Sequence, residues 1–458
     1  MGEFLARWQF GLTTIFHFFF VPVTIGLCFI VATMQTLAYK RQDESWDRLS
    51  RFFGRLFLIN IAVGVVTGIV LEFQFGMNWS AYSIFVGNIF GAPLAIEGLL
   101  AFFLESTFVG LWIFGRNRLS ARLHLATIWA VSVGTLLSAF FILAANSWMQ
   151  HPVGYRLENG KAVLTSFWAV LGNSTLWAAF AHTIAGALVT AGALVLGIAA
   201  WRARRAHEEH ERATFLRAAR FAAALTLVSV LVAGVTGDLQ ARFMDSQQPM
   251  KMAAAEAIYN TKSGASFSIL TIGDLKGNPV FQIRIPHLLS MIADLSWNGQ
   301  VRGVDQIQAA ETAKHGTASY VPVLWITYWS FRLMVGAAVL LLLLTLWGLV
   351  LARRKNLATS RWFVRVALAA IVLPFLANTT GWIFTEAGRQ PWLVYGLMRT
   401  VKGASATTMA DVTTTLVGFV GLYALLGAVD AVLMFRAARQ DLPEADSTGT
   451  PAVSDLVY

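Results

Sequence analysis

The chain has 458 residues, 56% of them hydrophobic and 13% charged, with a mean hydropathy of +0.60. So much apolar area exceeds what a compact core can hide, which excludes a soluble globular protein and leaves a polytopic membrane protein. The net charge of +10 would suit nucleic acid, but its confinement to short loops between apolar runs excludes that partner.

Windows of about 20 apolar residues, the length that crosses a bilayer, fall at residues 10–39, 53–79, 92–115, 123–149, 176–201, 216–238, 320–351, 364–385 and 412–435. They predict an all-α bundle of about nine transmembrane helices. The first window is too long for a cleavable leader and is followed by positive charge, so it is read as helix one. Basic residues crowd the odd-numbered loops: Lys40, Arg41, Arg48, Arg51 and Arg55, then Arg116, Arg118 and Arg122, then Arg202, Arg204, Arg205, Arg212, Arg217 and Arg220, then Arg353, Arg354, Lys355, Arg361 and Arg365. The short even-numbered loops carry few. The positive-inside rule therefore predicts an N-terminus outside and a C-terminus in the cytoplasm.

This divides the chain into helices 1–6 (residues 1–238), a long extracytoplasmic loop (239–319), helices 7–9 (320–436) and a polar, disordered cytoplasmic tail (437–458). In the loop, SQQPMKMAAAEAIYNT predicts a short helix begun by Pro249, from which Lys251 and Glu256 project near the outer surface. The segment IGDLKGNPVFQIRIPHLLS predicts a strand or turn followed by a helix.

Charged and metal-ligating groups inside apolar spans are costly, about 2.5–3.5 kcal/mol each on insertion scales, and ask for a function. Of eight histidines only His17 and His182 lie well inside predicted spans; His124 and His151 fall at helix ends and the other four in loops. Two are too few for a bis-histidine two-haem cytochrome or a haem–copper site, so any further haem needs other ligands, with methionine and glutamate available. The single cysteine, Cys28, excludes thiolate clusters and covalent haem attachment. Core packing is the better reading of Met334 taken alone, and an ion pair with Arg389 accounts for Glu386 equally well.

Glu97 and Glu105, eight residues apart, point about 80° apart on one side of a regular helix and suit a proton path or a cation site. Glu105 lies roughly 12 Å deeper. By the topology, His17, Glu97, His182 and Glu386 all belong to the outer half of the membrane, and Arg332 enters the same level, where a haem propionate or a carboxylate would pair with it. Glu72, near the outer end of helix two, suits that network or a structural ion pair.

Seven long motifs occur in order: RWQFGLTTIFHFFFVP, EFQFGMNW, GAPLAIEGLLAFFLESTFVGLW, ANSWMQHPVG, FAHTIAG, WSFRLMVG and GWIFTEAGRQPW. In them the chain resembles subunit I of the cytochrome bd quinol oxidases, from about Arg7 to the ninth helix. The resemblance implies that His182 and Met334 ligate a low-spin haem b. It implies that His17 and Glu386 ligate two high-spin haems, one b and one d, in an order the motifs leave open. It makes Glu97 a sixth ligand or proton donor, Glu105 an acid of the proton path, and Arg332, Trp382 and Arg389 cofactor contacts. Lys251 and Glu256 match residues of quinol binding and oxidation. Implied with these are a prokaryotic cytoplasmic-membrane enzyme that oxidises quinol outside and reduces O2 to water with cytoplasmic protons, building a gradient without pumping. No copper is expected. The implied partners are a subunit II and a small single-span subunit. The outer loop is short for the family, and His151 stands where other members carry asparagine.

Two other classes compete. A secondary transporter would use the buried acids for a substrate, but paired broken helices and inverted repeats are missing from the sequence. A haem-bearing anchor without oxygen chemistry would need bis-histidine pairs.

Overall fold

The structure, a computed structural model, describes residues 2–275 and 279–444. Among these, nine helical stretches are long and apolar enough to span a bilayer. The first two spans are α1 (Gly2–Arg41) and α2 (Glu44–Met77). The third is compound: α3 (Ser80–Ile96), a π-helical segment (Glu97–Phe102) and α4 (Phe103–Phe114). Then comes α5 (Ala121–Gln150), followed by a hairpin of β1 (Tyr155–Glu158) and β2 (Lys161–Leu164), and by the short α6 (Phe167–Leu171). The fifth and sixth spans are α7 (Ser174–Arg205) and α8 (Glu209–Gln247).

A small extramembrane module comes next: α9 (Pro249–Glu256), β3 (Lys262–Ser263), β4 (Phe267–Gly273), β5 (Pro279–Ile285), α10 (Leu288–Asp294), β6 (Gln300–Val301) and α11 (Val304–His315). The chain returns through α12 (Leu324–Arg353) and a bent span of α13 (Arg361–Ala369) and α14 (Val372–Ala387). A tight β7 (Trp392–Val394) and β8 (Met398–Arg399) ribbon then leads to α15 (Met409–Arg439).

Helices satisfy their own backbone groups, which is why apolar spans take this form in lipid. Side-chain oxygens of Asp43, Ser120, Asn173, Ser360 and Thr408 cap the N-termini of α2, α5, α7, α13 and α15. Basic residues close the last turns of α1, α7, α12 and α15, as the helix dipole favours. They share one end of the bundle with the starts of α2 and α8: Arg217 pairs with Asp43 at 2.6 Å, Arg116 with Asp47 at 2.8 Å, and Arg202 with both Glu211 and Asp441.

Small residues set the closest helix contacts. A β-carbon on Gly26 of α1 would meet the Ala187 carbonyl oxygen of α7 at 2.4 Å, and one on Gly192 of α7 would meet Thr226 Oγ1 of α8 at 2.2 Å. Backbones this near gain dispersion contacts that larger side chains would forbid.

Four expectations need correction. The sixth span does not end at 238: α8 runs on to Gln247, because the stretch from Asp238 is polar but still helix-forming, stitched by an Asp238–Arg242 pair one turn apart. The eighth span breaks at Ala370, four residues before Pro374, whose ring excludes a normal turn there. The tail does not begin at 437: α15 continues to Arg439, Arg202 donates to the Arg439 carbonyl at 2.7 Å, and Arg48 donates to the Pro443 carbonyl at 2.7 Å. The disorder expected beyond residue 444 lies outside the described residues. Finally, Lys251 and Glu256 sit on the short helix α9 but do not project from it into solvent; they are 7% and 1% exposed. The strand-then-helix segment forms the antiparallel β4–β5 hairpin and α10.

Candidate functional site

His182 Nδ1 lies 3.0 Å from the Ala233 carbonyl of α8 and 3.3 Å from Thr236 Oγ1. A carbonyl only accepts, so the proton sits on Nδ1, and Nε2 keeps its lone pair with no hydrogen-bond partner among the described residues. The ring rests against Gly237, where a β-carbon would stand 3.3 Å from Cε1. Met334 of α12 places its sulfur against Gly381 of α14, at 3.0 Å from where a β-carbon would be.

The two residues share a level. Gly186, one turn inward of His182, faces Asn378 of α14, which donates to Thr190 Oγ1 at 3.0 Å. Gly381 lies three residues along α14, which runs antiparallel to α7. From that common contact, one turn along each helix leads to His182 and to Gly381 with Met334.

His17 on α1 follows the same pattern. Its Nδ1 is 3.0 Å from Thr67 Oγ1 of α2, whose own hydroxyl proton is given to the Gly64 carbonyl at 2.8 Å. Thr67 therefore accepts, Nδ1 carries the proton, and Nε2 is left for a ligand. Gly68 makes room: a β-carbon there would meet the ring at 3.0 Å. The next residue, Phe18, contacts Trp382 of α14 edge to face at 5.2 Å. Trp382 is one turn from Glu386, so the surroundings of His17 and Glu386 adjoin.

Glu386, on the last turn of α14, has both oxygens engaged. Oε1 accepts from Asn146 Nδ2 at 2.9 Å and Gln150 Nε2 at 3.3 Å, both from α5, and Oε2 pairs with Arg389. The ion pair that accounted equally well for Glu386 is thus formed. Arg389 keeps Nη1 buried without a hydrogen-bond partner among the described residues, a donor suited to a further anion.

Glu97 opens the π-helical segment; its Oε1 accepts from Ser138 Oγ of α5 at 2.8 Å, and its Oε2 is buried without a hydrogen-bond partner among the described residues. Glu105 leans on Gly134, where a β-carbon would meet its Cγ at 2.8 Å. Gly134 and Ser138 are one turn apart on α5. The two acids therefore share that face instead of diverging by about 80°, because the wider π turn absorbs rotation a regular helix would add. Glu72 lies exposed on α2.

In the module between α8 and α12, Glu256 Oε2 accepts the Ser268 backbone N–H of β4 at 2.8 Å and pairs with Arg332 Nη2 of α12 at 2.9 Å. Of the two partners expected for Arg332, a carboxylate is the one present. Its guanidinium also donates to the Ala255 carbonyl at 2.8 Å and lies over the Tyr328 ring at 4.3 Å. Burial pushes the Glu256 carboxyl up, against the opposing pull of Arg332 and the Ser268 N–H. Lys251 Nζ donates to Gln150 Oε1 at 2.7 Å. Burial, aided by Arg389, brings its ammonium down to about 7. A cleft beside it is lined by Arg389, Tyr320, Trp392, Tyr395 and Glu311.

The remaining histidines lie apart. His124 Nε2 is 2.8 Å from the Trp112 carbonyl, and its Nδ1 is 2.7 Å from Gln35 Nε2. His151 contacts Asn173, His287 stacks on Trp297, His315 pairs with Glu311, and His207 and His210 are exposed. Among the described residues no three His, Cys, Asp or Glu side chains gather to hold a bare metal ion. The donors come singly, which suits iron whose equatorial ligands are supplied by a macrocycle. Sequence reading missed Thr67, Ser138, Asn146, Gln150, Ser268 and Tyr328; Asn146 and Gln150 lie inside a long motif and Tyr328 beside one, while Thr67, Ser138 and Ser268 lie outside the motifs and carried no signal.

The sequence matches the cytochrome bd terminal oxidase subunit I family over residues 5–442. It is 44% identical over 454 residues to the cytochrome bd ubiquinol oxidase subunit 1 of Bacillus subtilis (strain 168), covering 98% of this chain and 96% of that one. It is 35% identical over 495 residues to the cytochrome bd-II ubiquinol oxidase subunit 1 of Escherichia coli (strain K12), covering 95% and 96%. The structure of bd oxidase from Geobacillus thermodenitrificans superposes with a TM-score of 0.87 at 28% identity, covering 96% of this chain and 98% of that one. The chain belongs to the cytochrome bd terminal oxidase subunit I family.

Proposed function

We propose that this chain is the haem-bearing subunit of a terminal quinol oxidase that oxidises quinol at the outer module and reduces O2 to water with protons taken from the opposite side. As a member of its family it is part of a quinol:oxygen oxidoreductase, a multi-pass protein of the cytoplasmic membrane that works with a subunit II and contains haem. The observation that carries the detailed reading is the pair of intramembrane histidines: each has Nδ1 fixed by an oxygen acceptor and Nε2 left free, with a glycine at the ring. Buried His124, by contrast, spends both nitrogens within the protein.

In this reading His182 and Met334 hold a low-spin haem b, and His17 and Glu386 hold the two high-spin haems, one b and one d, without copper. Bound there, the haems supply one-electron transfer and oxygen reduction. The partnerless Arg389 Nη1 and the Arg332 guanidinium would compensate propionates. Lys251 holds a quinone oxygen through its ammonium, and Glu256 takes the hydroxyl proton and releases it outside. Glu97 and Glu105 hold protons against α5, fed from the basic end of the bundle, which the positive-inside rule makes cytoplasmic. Protons consumed on one side and released on the other build a gradient without pumping. A small single-span subunit is a further proposed partner.

A dithionite-reduced minus air-oxidised spectrum of the purified complex tests this reading. A far-red chlorin band beside b-haem bands is expected. Spectra with b bands only would leave an electron-transfer anchor, separable by quinol-driven oxygen uptake, and a haem-free complex would overturn the proposal in favour of a transporter.

A further inference from the structure

Gln150 ends α5 with its side chain between two charges. Its Nε2 donates to Glu386 Oε1 at 3.3 Å, and its Oε1 accepts from Lys251 Nζ at 2.7 Å and Gln248 Nε2 at 2.9 Å. The residue is 5% exposed, so water does not readily replace either partner. Its amide has one workable orientation. Flipped, the NH2 group would face an ammonium and an amide donor while the oxygen faced a carboxylate. The backbone carbonyl of Gln150 accepts Gln248 Nε2 as well, at 2.5 Å, which pins α9 to the end of α5.

We propose that Gln150 is a positioning residue that couples Lys251, on the quinol side, to Glu386, on the haem side, so that occupation of the quinol pocket is registered at the high-spin haem. The inference rests on the roles given above to Lys251 and Glu386. Its physical basis is polarisation along a buried chain. The ammonium on Oε1 draws electron density through the amide and strengthens the Nε2–H bond to Glu386. A quinol oxygen that takes the ammonium for itself removes that pull, and the carboxylate is then held by Asn146 and Arg389 with a weaker third donor. Asn146, one turn back on α5, has no hydrogen bond to Lys251 among the described residues; Lys251 feels the charges of Glu386 and Arg389 directly, and Gln150 is the hydrogen-bonded route between ammonium and carboxylate.

The test uses the purified complex with a decyl hydroquinone monomethyl ether, which can hydrogen-bond but lacks the second hydroxyl needed for oxidation. In the wild type, titration should give a saturable shift of the high-spin haem bands. In Gln150→Leu the shift should shrink to the part carried by direct charge interaction, and the KM for quinol should fall by about tenfold, because quinol no longer competes with the Gln150 oxygen for the ammonium. Gln150→Glu should restore the KM by pairing with Lys251, while its repulsion of Glu386 displaces the resting haem bands even without ligand. If Gln150→Leu fails to assemble, the wild-type titration and the Glu variant decide alone. A wild type without a ligand-induced shift, or a Leu variant that keeps both shift and KM, overturns the coupling. Lys251→Met with unchanged KM or Glu386→Gln with an unchanged haem spectrum would instead overturn the underlying roles.

Discussion

Gly381 and Met334 meet at the van der Waals limit: a β-carbon at 381 would stand 3.0 Å from the methionine sulfur. Such a contact is tighter than an ordinary one, and α14 can relieve it only by pushing the thioether along α12. Gly381→Ala should therefore weaken the sulfur's bond to iron, and Met334→Leu should abolish it and convert the low-spin haem to high spin. The measurement is low-temperature electron paramagnetic resonance of the oxidised complex. An unaltered low-spin signal in Met334→Leu would refute the ligand assignment.

Lys251 should impose a pH dependence on quinol binding. Its ammonium is brought down to about 7 by burial, so the charged form that grips a quinone oxygen is lost as pH rises through that value. KM should climb about tenfold per unit above neutrality before levelling. Lys251→Met should show a high, flat KM across the same range, and a profile with the same slope in the variant would assign the titration elsewhere. Stability moves the opposite way: with the folded amine easier to deprotonate than its unfolded counterpart at 10.5, the contribution of this group to stability rises between about pH 7 and 10.5.

Glu256→Gln keeps the shape of the side chain and can still accept the Ser268 N–H, but it cannot take a proton from a hydroxyl. Quinol oxidation should fall by about 100-fold, the usual scale for losing a general base. Oxygen reduction driven by an artificial one-electron donor should persist. Equal loss of both activities would move Glu256 out of quinol chemistry and into folding of the module.

Glu105→Gln should slow proton delivery without dismantling the helix, since Gly134 accommodates the amide as readily as the acid. Turnover should drop at least about tenfold while quinol KM holds. Proton uptake during single-turnover oxidation, followed with a pH dye, distinguishes the cases. Normal uptake stoichiometry and rate would remove Glu105 from the path.

Gly26→Val carries a stability prediction. A β-carbon at position 26 would stand 2.4 Å from the Ala187 carbonyl oxygen, which is backbone, so no rotamer change relieves the clash. The cost should reach at least about 1–3 kcal/mol, seen as a lower thermal midpoint in detergent. An unchanged midpoint would mean that α1 and α7 can part without penalty.

The spans were legible because lipid imposes a length and a polarity on them, and both are written in composition. What local hydropathy cannot carry is a helix that runs on after its apolar stretch has ended, as α8 does past residue 238. The register of the third span was equally hidden. A π segment at Glu97 looks apolar and helical like its neighbours, yet it decides that two acids share one face. Met334, apolar itself, was named only by the resemblance, while His17, His182 and Glu386 stood out as expensive residues at apolar runs. Their supports did not: Thr67, Ser138 and Gln150 are cheap, common side chains whose importance arises from partners far away in sequence, 50, 41 and 236 residues in turn.

The hydrogen bond from strand β4 to Glu256 comes from main chain. No ordinary side-chain replacement at Ser268 can delete it; only proline, which lacks the N–H, would. The grip on the Glu256 carboxylate is thus indifferent to most of the spelling of the hairpin, provided its path is kept. Such a loop is free to diverge between species while it performs the same task, and its divergence alone would be a poor guide to a change of substrate.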